Sequence, residues 1–183
     1  IYGIIDDGTT PNTRRRTNLT ARDITQVSGD VGQYRSFSAP GTLPSTSKGW
    51  YIDLDQPPEN KQIGERMVGD PQVLADALIF PTIIPNTADP CQQGRGFLNA
   101  LGAFTGTSLS TALFDVNRDG NYSNDRIGTT PIGSVDLGIG MVTNPAALDK
   151  IIAACGSSGN CGDTPYRNPT DAGRISWREV VRR

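Results

Sequence analysis

Glycine and proline punctuate this chain so densely that almost no stretch is left for a long regular helix. Gly (21) and Pro (13) make up about a fifth of the 183 residues, above the roughly 12% of an average chain and below the ~25–30% of a disordered one. Between the breakers lie short apolar runs: Gly49-Trp-Tyr-Ile-Asp-Leu54, Ala77-Leu-Ile-Phe80, Ile83-Ile84, Gly96-Phe-Leu-Asn-Ala-Leu101 and Leu113-Phe114. Pro57-Pro58, Asp70-Pro71 and Pro81 cut them apart. Short strands and turns alternating every ten residues or so predict an all-β, antiparallel, up-and-down architecture.

The flanks are weaker. Ile1–Ile5 reads as a strand that stops at the turn Asp6-Asp7-Gly8, and Glu65–Val68 as a further candidate strand. Residues 9–48 are polar and read mostly as a long surface loop, with Leu19, Ile24 and Val27 able to anchor one element. Residues 174–181 read as a C-terminal strand with Ile175, Trp177, Glu179 and Val181 on one side. At 144–155 the local pattern points two ways. Asn144-Pro145 is a good helix start, and Leu148, Ile151, Ile152 and Cys155 recur at helical spacing. The competing reading is a turn at Asp149-Lys150 followed by a buried strand, Ile151–Cys155. Length suits a single region, 1–183, with a real core. The chain begins at Ile1 with no initiator Met or signal peptide, which reads as a piece of a longer or processed protein. No apolar run approaches the roughly 18–20 residues of a membrane span.

Composition narrows the chemistry. Histidine is absent, which removes the commonest general base, the commonest transition-metal ligand and any Ser-His-Asp triad. Net charge is −2, so no global field draws nucleic acid. Arg14-Arg15-Arg16 lacks interleaved aromatics and reads as a solvated loop before a phosphate site. Trp50, Tyr51 and Trp177 read as core aromatics before a sugar platform. Glu65 and Asp70 could pair as carboxylates, but nothing in the sequence brings them to one cleft. Cys155 and Cys161 bracket Gly156-Ser-Ser-Gly-Asn160, where a disulfide would close a tight turn; free thiols are the alternative, and half a metal site lacks partners to complete it. Cys91 is left over, either buried and free or paired outside this chain.

The sharpest motif is Asp115-Val-Asn-Arg-Asp-Gly-Asn-Tyr-Ser-Asn-Asp125. A hard cation such as Ca²⁺ takes several oxygens on a tightly curved backbone. Asp115, Asn117 and Asp119 offer side-chain oxygens at alternate places, and Gly120 permits the bend. Asn121 offers a carbonyl, and Ser123 a hydroxyl directly or through water. The first nine places follow the EF-hand loop, but the twelfth is Arg126, and Asp125 lies one place early. Either Asp125 closes a shortened loop or coordination ends at Ser123. Thr105-Gly106 and Gly128–Pro131 exclude flanking helices, so the loop is an isolated calcium loop between strands. The plain alternative is an Asp/Asn/Gly-rich turn that binds no metal.

Several segments together resemble the PilY family of type IV pilus proteins: Gly49–Leu54, Gly64-Glu-Arg-Met-Val68, Leu78-Ile-Phe80 with Ile84-Pro85 and Asp89-Pro-Cys91, Phe97–Leu101 with Thr105-Gly106, and Gly173-Arg-Ile-Ser-Trp-Arg-Glu179. The resemblance implies the C-terminal part of a modified β-propeller with an inserted calcium loop, and strand over helix at 145–156. It implies Ca²⁺ on Asp115, Asn117, Asp119, Asn121, Ser123 and Asp125, a non-enzymatic role in pilus assembly and adhesion, and control of extension against retraction. It further implies an extracytoplasmic place at the pilus tip, cell surface or outer membrane, with minor pilins and a host or abiotic surface as partners. No Arg-Gly-Asp tripeptide is present. Two rivals are a calcium-containing quinoprotein-like enzyme, suggested by Phe97–Gly106, and a calcium-dependent lectin. Against the first stands the lack of an adjacent cysteine pair.

Overall fold

A computed structural model describes residues 1–8, 15–28, 33–57, 61–86, 89 and 92–168. The C-terminal segment expected as a strand, with Trp177, lies outside the described residues, as does Cys91. What is described is all-β apart from one 3-10 turn, Arg16–Asn18. The strands are β1 (Tyr2–Ile4), β2 (Thr20–Arg22), β3 (Ile24–Ser28), β4 (Tyr34–Phe37), β5 (Gly49–Ile52), β6 (Gln72–Leu74), β7 (Ala77–Ile84), β8 (Arg95–Gly102), β9 (Arg126–Ile127), β10 (Thr130–Pro131), β11 (Ser134–Val135), β12 (Ala146–Leu148), β13 (Ile151–Cys155) and β14 (Cys161–Pro165). A six-stranded antiparallel sheet in the order β3-β4-β11-β8-β7-β6 forms the centre. Around it lie β1-β5-β2, the β9–β10 hairpin and the β12-β13-β14 meander.

The long hairpin β7–β8 is the spine, running from Ala77 opposite Gly102 to Ile84 opposite Arg95. Its sequence is apolar on both sides of the pleat because both faces are covered. On one face Ala77, Ile79, Leu98, Ala100 and Val135 pack with Leu113, Phe114, Ile152 and Tyr166. On the other, Phe80 and Leu101 pack with Ile24, Phe37, Trp50 and Ile52. Pro81 does not cut this strand, contrary to the sequence expectation. Ile83 exchanges both backbone hydrogen bonds with Arg66, at 2.9 and 3.0 Å. Backbone polar groups two residues apart point to the same side, so Pro81 faces that side too. There β6 has already ended and Gly69 sits against the proline ring: a Cβ on Gly69 would fall 2.5 Å from Pro81 Cγ. The missing N–H therefore removes no ladder bond.

The second face also holds a buried polar cluster. Arg35 and Glu65 form a bidentate pair, Nη1 to Oε2 at 2.7 Å and Nη2 to Oε1 at 2.9 Å, with both side chains fully buried. Arg35 also donates to Ser134 Oγ (3.1 Å) and Asn99 Oδ1 (2.9 Å), and its guanidinium lies 3.6 Å over the Phe97 ring. Thr82 donates to Glu65 at 2.5 Å. A single cluster thus ties β4, β11, β8 and β7 to the irregular segment carrying Glu65, and Arg35, not Asp70, is the partner of Glu65.

Two further expectations change. Residues 9–48 are not mainly a surface loop: β2, β3 and β4 lie there, and Ile24, Arg35 and Phe37 are buried. Glu65–Val68 contributes only an isolated bridge, Arg66 with Ile83. At 144–155 the helical spacing is not used. The chain reverses at Asp149, which takes φ +46°, and β13 pairs with β12 on one side and β14 on the other. Ile152 and Ala154 point inward while Leu148 and Ile151 are exposed. Ladder bonds on both edges outweigh a local preference of a few tenths of a kcal/mol per residue. The Cys155–Cys161 disulfide closes the β13–β14 hairpin.

Candidate metal centre

The segment 115–125 is held at both ends before its side chains are considered. At its start, Asp115 N–H donates to Pro165 O of β14 (3.0 Å), and Arg167 N–H donates to Leu113 O (2.8 Å). At its end, Ile132 N–H donates to Asp125 O (3.0 Å), just before the β9–β10 hairpin. Between these anchors the Asx side chains fold the backbone back on itself, as short carboxylates and amides do. Asp115 Oδ1 accepts from Asp119 N–H (3.1 Å), and its Oδ2 from Gly120 N–H (2.8 Å). Asn117 Oδ1 accepts from Asp119 N–H (3.0 Å), and Asp119 Oδ1 from Asn121 N–H (2.7 Å). Gly120 takes φ +78° with open space where a Cβ would stand, so its requirement is the backbone angle alone.

Asp115 and Asp125 are 3% and 2% exposed within a segment otherwise exposed apart from the half-buried Val116 and Tyr122. Burying carboxylates is costly without compensation. Asp115 uses both oxygens. Asp125 Oδ1 accepts from Val116 N–H at 3.1 Å, but its Oδ2 is buried with no hydrogen-bond partner. Burial first, and then the charges of Asp115 and Asp119, push the Asp125 carboxyl above the usual carboxylate range. Asp119 moves the other way, held down by the Asn124 amide (2.6 Å) and the Asn121 N–H. The Tyr122 phenol is raised, first by burial and then by Asp115 and Asp125.

Of the six residues expected from sequence, Asp115, Asn117, Asp119 and Asp125 share one hydrogen-bonded and electrostatic neighbourhood. Asn121 and Ser123 turn toward each other: Asn121 Oδ1 accepts from Ser123 Oγ at 2.6 Å. Arg126, at the place where an EF-hand has its bidentate acid, instead clasps the turn by donating to Ser123 O and Thr129 O, both at 2.8 Å. Among the described residues, no three acidic, cysteine or histidine side chains by themselves form a group able to hold a metal. A cation here would need the amide oxygens and a backbone carbonyl as well, which a hard ion accepts. The orphaned Asp125 oxygen fits that donor set. Sequence reading missed Asn124, which steadies Asp119, and the ion pair of Arg118 with Asp163 at 3.0 Å. Asn124 could have been found as one more amide within the loop; Asp163 lies far along the chain and gives no local signal.

The other candidates are structural. Trp50 is a core residue whose Nε1 donates to Ala103 O at 3.0 Å. Arg16 is paired with Asp53 and lies 4.0 Å over the Tyr51 ring, while Arg14 is outside the described residues. No described helix is long and apolar enough to cross a membrane.

The chain is similar to the type IV pilus biogenesis factor PilY1 homolog of Xylella fastidiosa, with 34% identity over 187 residues covering 99% of this chain and 15% of that protein. It is 30% identical over 139 residues to the type IV pilus biogenesis factor PilY1 of Pseudomonas aeruginosa, covering 72% of this chain and 12% of that one. The chain therefore spans a small fraction of the curated relatives it matches. Its fold is similar to the crystal structure of the Pseudomonas aeruginosa PilY1 C-terminal domain, with TM-score 0.63, 19% identity, and coverage of 89% of this chain and 36% of that one. At that identity the likeness carries the fold alone, and the fold is that of a propeller-like all-β domain. No protein-family model matches.

Proposed function

The chain belongs to the PilY family, and from that premise we propose that it serves type IV pilus biogenesis and adhesion and holds one Ca²⁺ ion in the loop 115–125. One observation carries the calcium reading: a carboxylate oxygen, Asp125 Oδ2, is buried without a partner beside two further acidic residues of the loop. Asp115, Asn117, Asp119 and Asp125 would hold the ion by side chains and Asn121 by its carbonyl. The Ser123 hydroxyl is engaged with Asn121, which favours Asp125 as the closing ligand. The ion would supply positive charge beside the buried Asp125 carboxylate, on which the charges of Asp115 and Asp119 also act, and would tie the start of the loop to its end. The curated relatives are named as biogenesis factors, which favours a non-catalytic role over a quinoprotein enzyme. A place on the pilus, partnership with minor pilins, contact with a host or abiotic surface, and control of extension against retraction follow from the same reading.

Calorimetric titration of chelator-stripped protein with CaCl₂ tests it. Saturable one-site binding is expected, lost in Asp119→Ala while the metal-free variant still unfolds in a single cooperative transition. An unaltered affinity in that variant sinks the site. In cells, the same substitution in the full-length protein should alter surface piliation; unchanged piliation and twitching would separate ion binding from pilus control.

A further inference from the structure

We propose that Arg118 is a positioning residue of the cation loop, latched onto β14 by Asp163; this rests on the calcium reading above. Among the described residues, Arg118 is one of three non-glycine residues with positive φ, at +60°. A side chain in the left-handed region crowds its own backbone, and glycine avoids the cost. Arg118 occupies the fourth place of the loop, between Asn117 and Asp119. The direction of those two residues' oxygens depends on this backbone angle. The second observation pointing to a ligand is the unpartnered, buried Asp125 Oδ2.

The Arg118 side chain leaves the loop and grips β14. Its Nη2 donates to the Asp163 backbone carbonyl at 2.9 Å and to Asp163 Oδ2 at 3.0 Å. Both side chains are about half exposed, so Coulomb attraction alone is weak. Geometry does the work. Asp163 stands opposite Ala153 in a hairpin closed by the disulfide, so the acceptor pair is fixed. Asp115 N–H grips the same strand at Pro165 O. Two points on one rigid strand, one backbone and one side chain, then set the first turn of the loop before any ion arrives. Preset geometry lowers the ordering cost of binding. A purely electrostatic role has the opposite sign: a guanidinium near the site repels a cation, and removing it tightens binding.

The test is calorimetric CaCl₂ titration of chelator-stripped wild type, Arg118→Ala, Arg118→Gly, Asp163→Ala and the Arg118→Gly/Asp163→Ala double variant. Arg118→Ala should weaken binding by about three- to tenfold, the size of one lost surface latch plus an unrelieved left-handed angle, and Asp163→Ala by less, because the residue 163 carbonyl still accepts from Arg118. Arg118→Gly should lose less affinity than Arg118→Ala, because glycine takes the angle without strain although it forfeits the preset geometry. Asp163→Ala should cost nothing further in the Arg118→Gly background. Equal or tighter binding by Arg118→Ala overturns the latch, as does an Asp163→Ala loss that persists in the glycine background. If wild type itself binds no Ca²⁺, the calcium reading falls and the latch with it. If wild type binds and Arg118→Ala is unchanged, only the latch falls.

Discussion

Replacing Glu65 with leucine should be among the most damaging single changes outside the loop. Glu65 accepts two hydrogen bonds from Arg35, at 2.7 and 2.9 Å, and one from Thr82 at 2.5 Å. Neither the arginine nor the glutamate side chain reaches solvent. Without Glu65, the guanidinium keeps only neutral partners, Ser134 and Asn99. An uncompensated buried charge costs about 3–5 kcal/mol, and two lost charge-assisted hydrogen bonds at about 1.5–3 kcal/mol each give the same range. For a domain of this size the thermal midpoint should fall by roughly 6–20 °C, at about 2–4 °C per kcal/mol. Urea denaturation of Glu65→Leu read by tryptophan fluorescence measures the loss, because Trp50 is buried on the same face. The double variant Arg35→Met/Glu65→Leu should recover most of it, since an apolar pair of similar volume removes the stranded charge. A loss below about 1 kcal/mol, or a double variant no better than the single, refutes the reasoning.

Three more outcomes follow from the packing and the charges. Gly106→Ala should destabilise by about 2–4 kcal/mol, because Gly106 sits at φ +68° and its Cβ would fall 2.4 Å from the Trp50 ring; a melting curve like that of wild type would contradict this. Removing the disulfide as Cys155→Ser/Cys161→Ser should cost about 2 kcal/mol, as expected for a six-residue separation, and a urea midpoint shift reads it. In Ca²⁺-free protein, Asp125 binds its proton more tightly folded than unfolded, since burial raises its pKa. Its contribution is therefore favourable below the ordinary carboxylate pKa and is lost as pH rises through the raised value. Asp119, with a lowered pKa, contributes stability that is lost only as pH falls through its depressed value. The stability difference between chelated wild type and Asp125→Asn should therefore change with pH across the Asp125 window; a flat difference would count against a buried, ionising Asp125.

Local chemistry determined much of this protein. Breaker spacing and short apolar runs specified β5, β8 and the first half of β7, because a strand needs only a few residues and a turn signal at each end. The Asp/Asn/Gly alternation of 115–121 specified the curl of the loop, since each Asx oxygen finds a backbone N–H two to five residues away. The Cys155–Cys161 turn lay within reach of its own disulfide. What sequence could not decide was set by partners distant in the chain. Nothing in the sequence links Arg35 to Glu65, and the pair exists only once β4, β8 and β11 enclose it. Pro81 reads as a breaker until the opposite edge proves to need no N–H there. Residues 148–155 carry a helical period that two flanking strands override, because the ladder bonds and the burial of Ile152 and Ala154 exist only once β12 and β14 are in place. Arg118 could not be matched to Asp163 from sequence, for that pair exists only where a loop and a hairpin meet. Hydrogen bonds to near neighbours are written in sequence; the covering of a face, and the pairing of a charge across it, come only from tertiary structure.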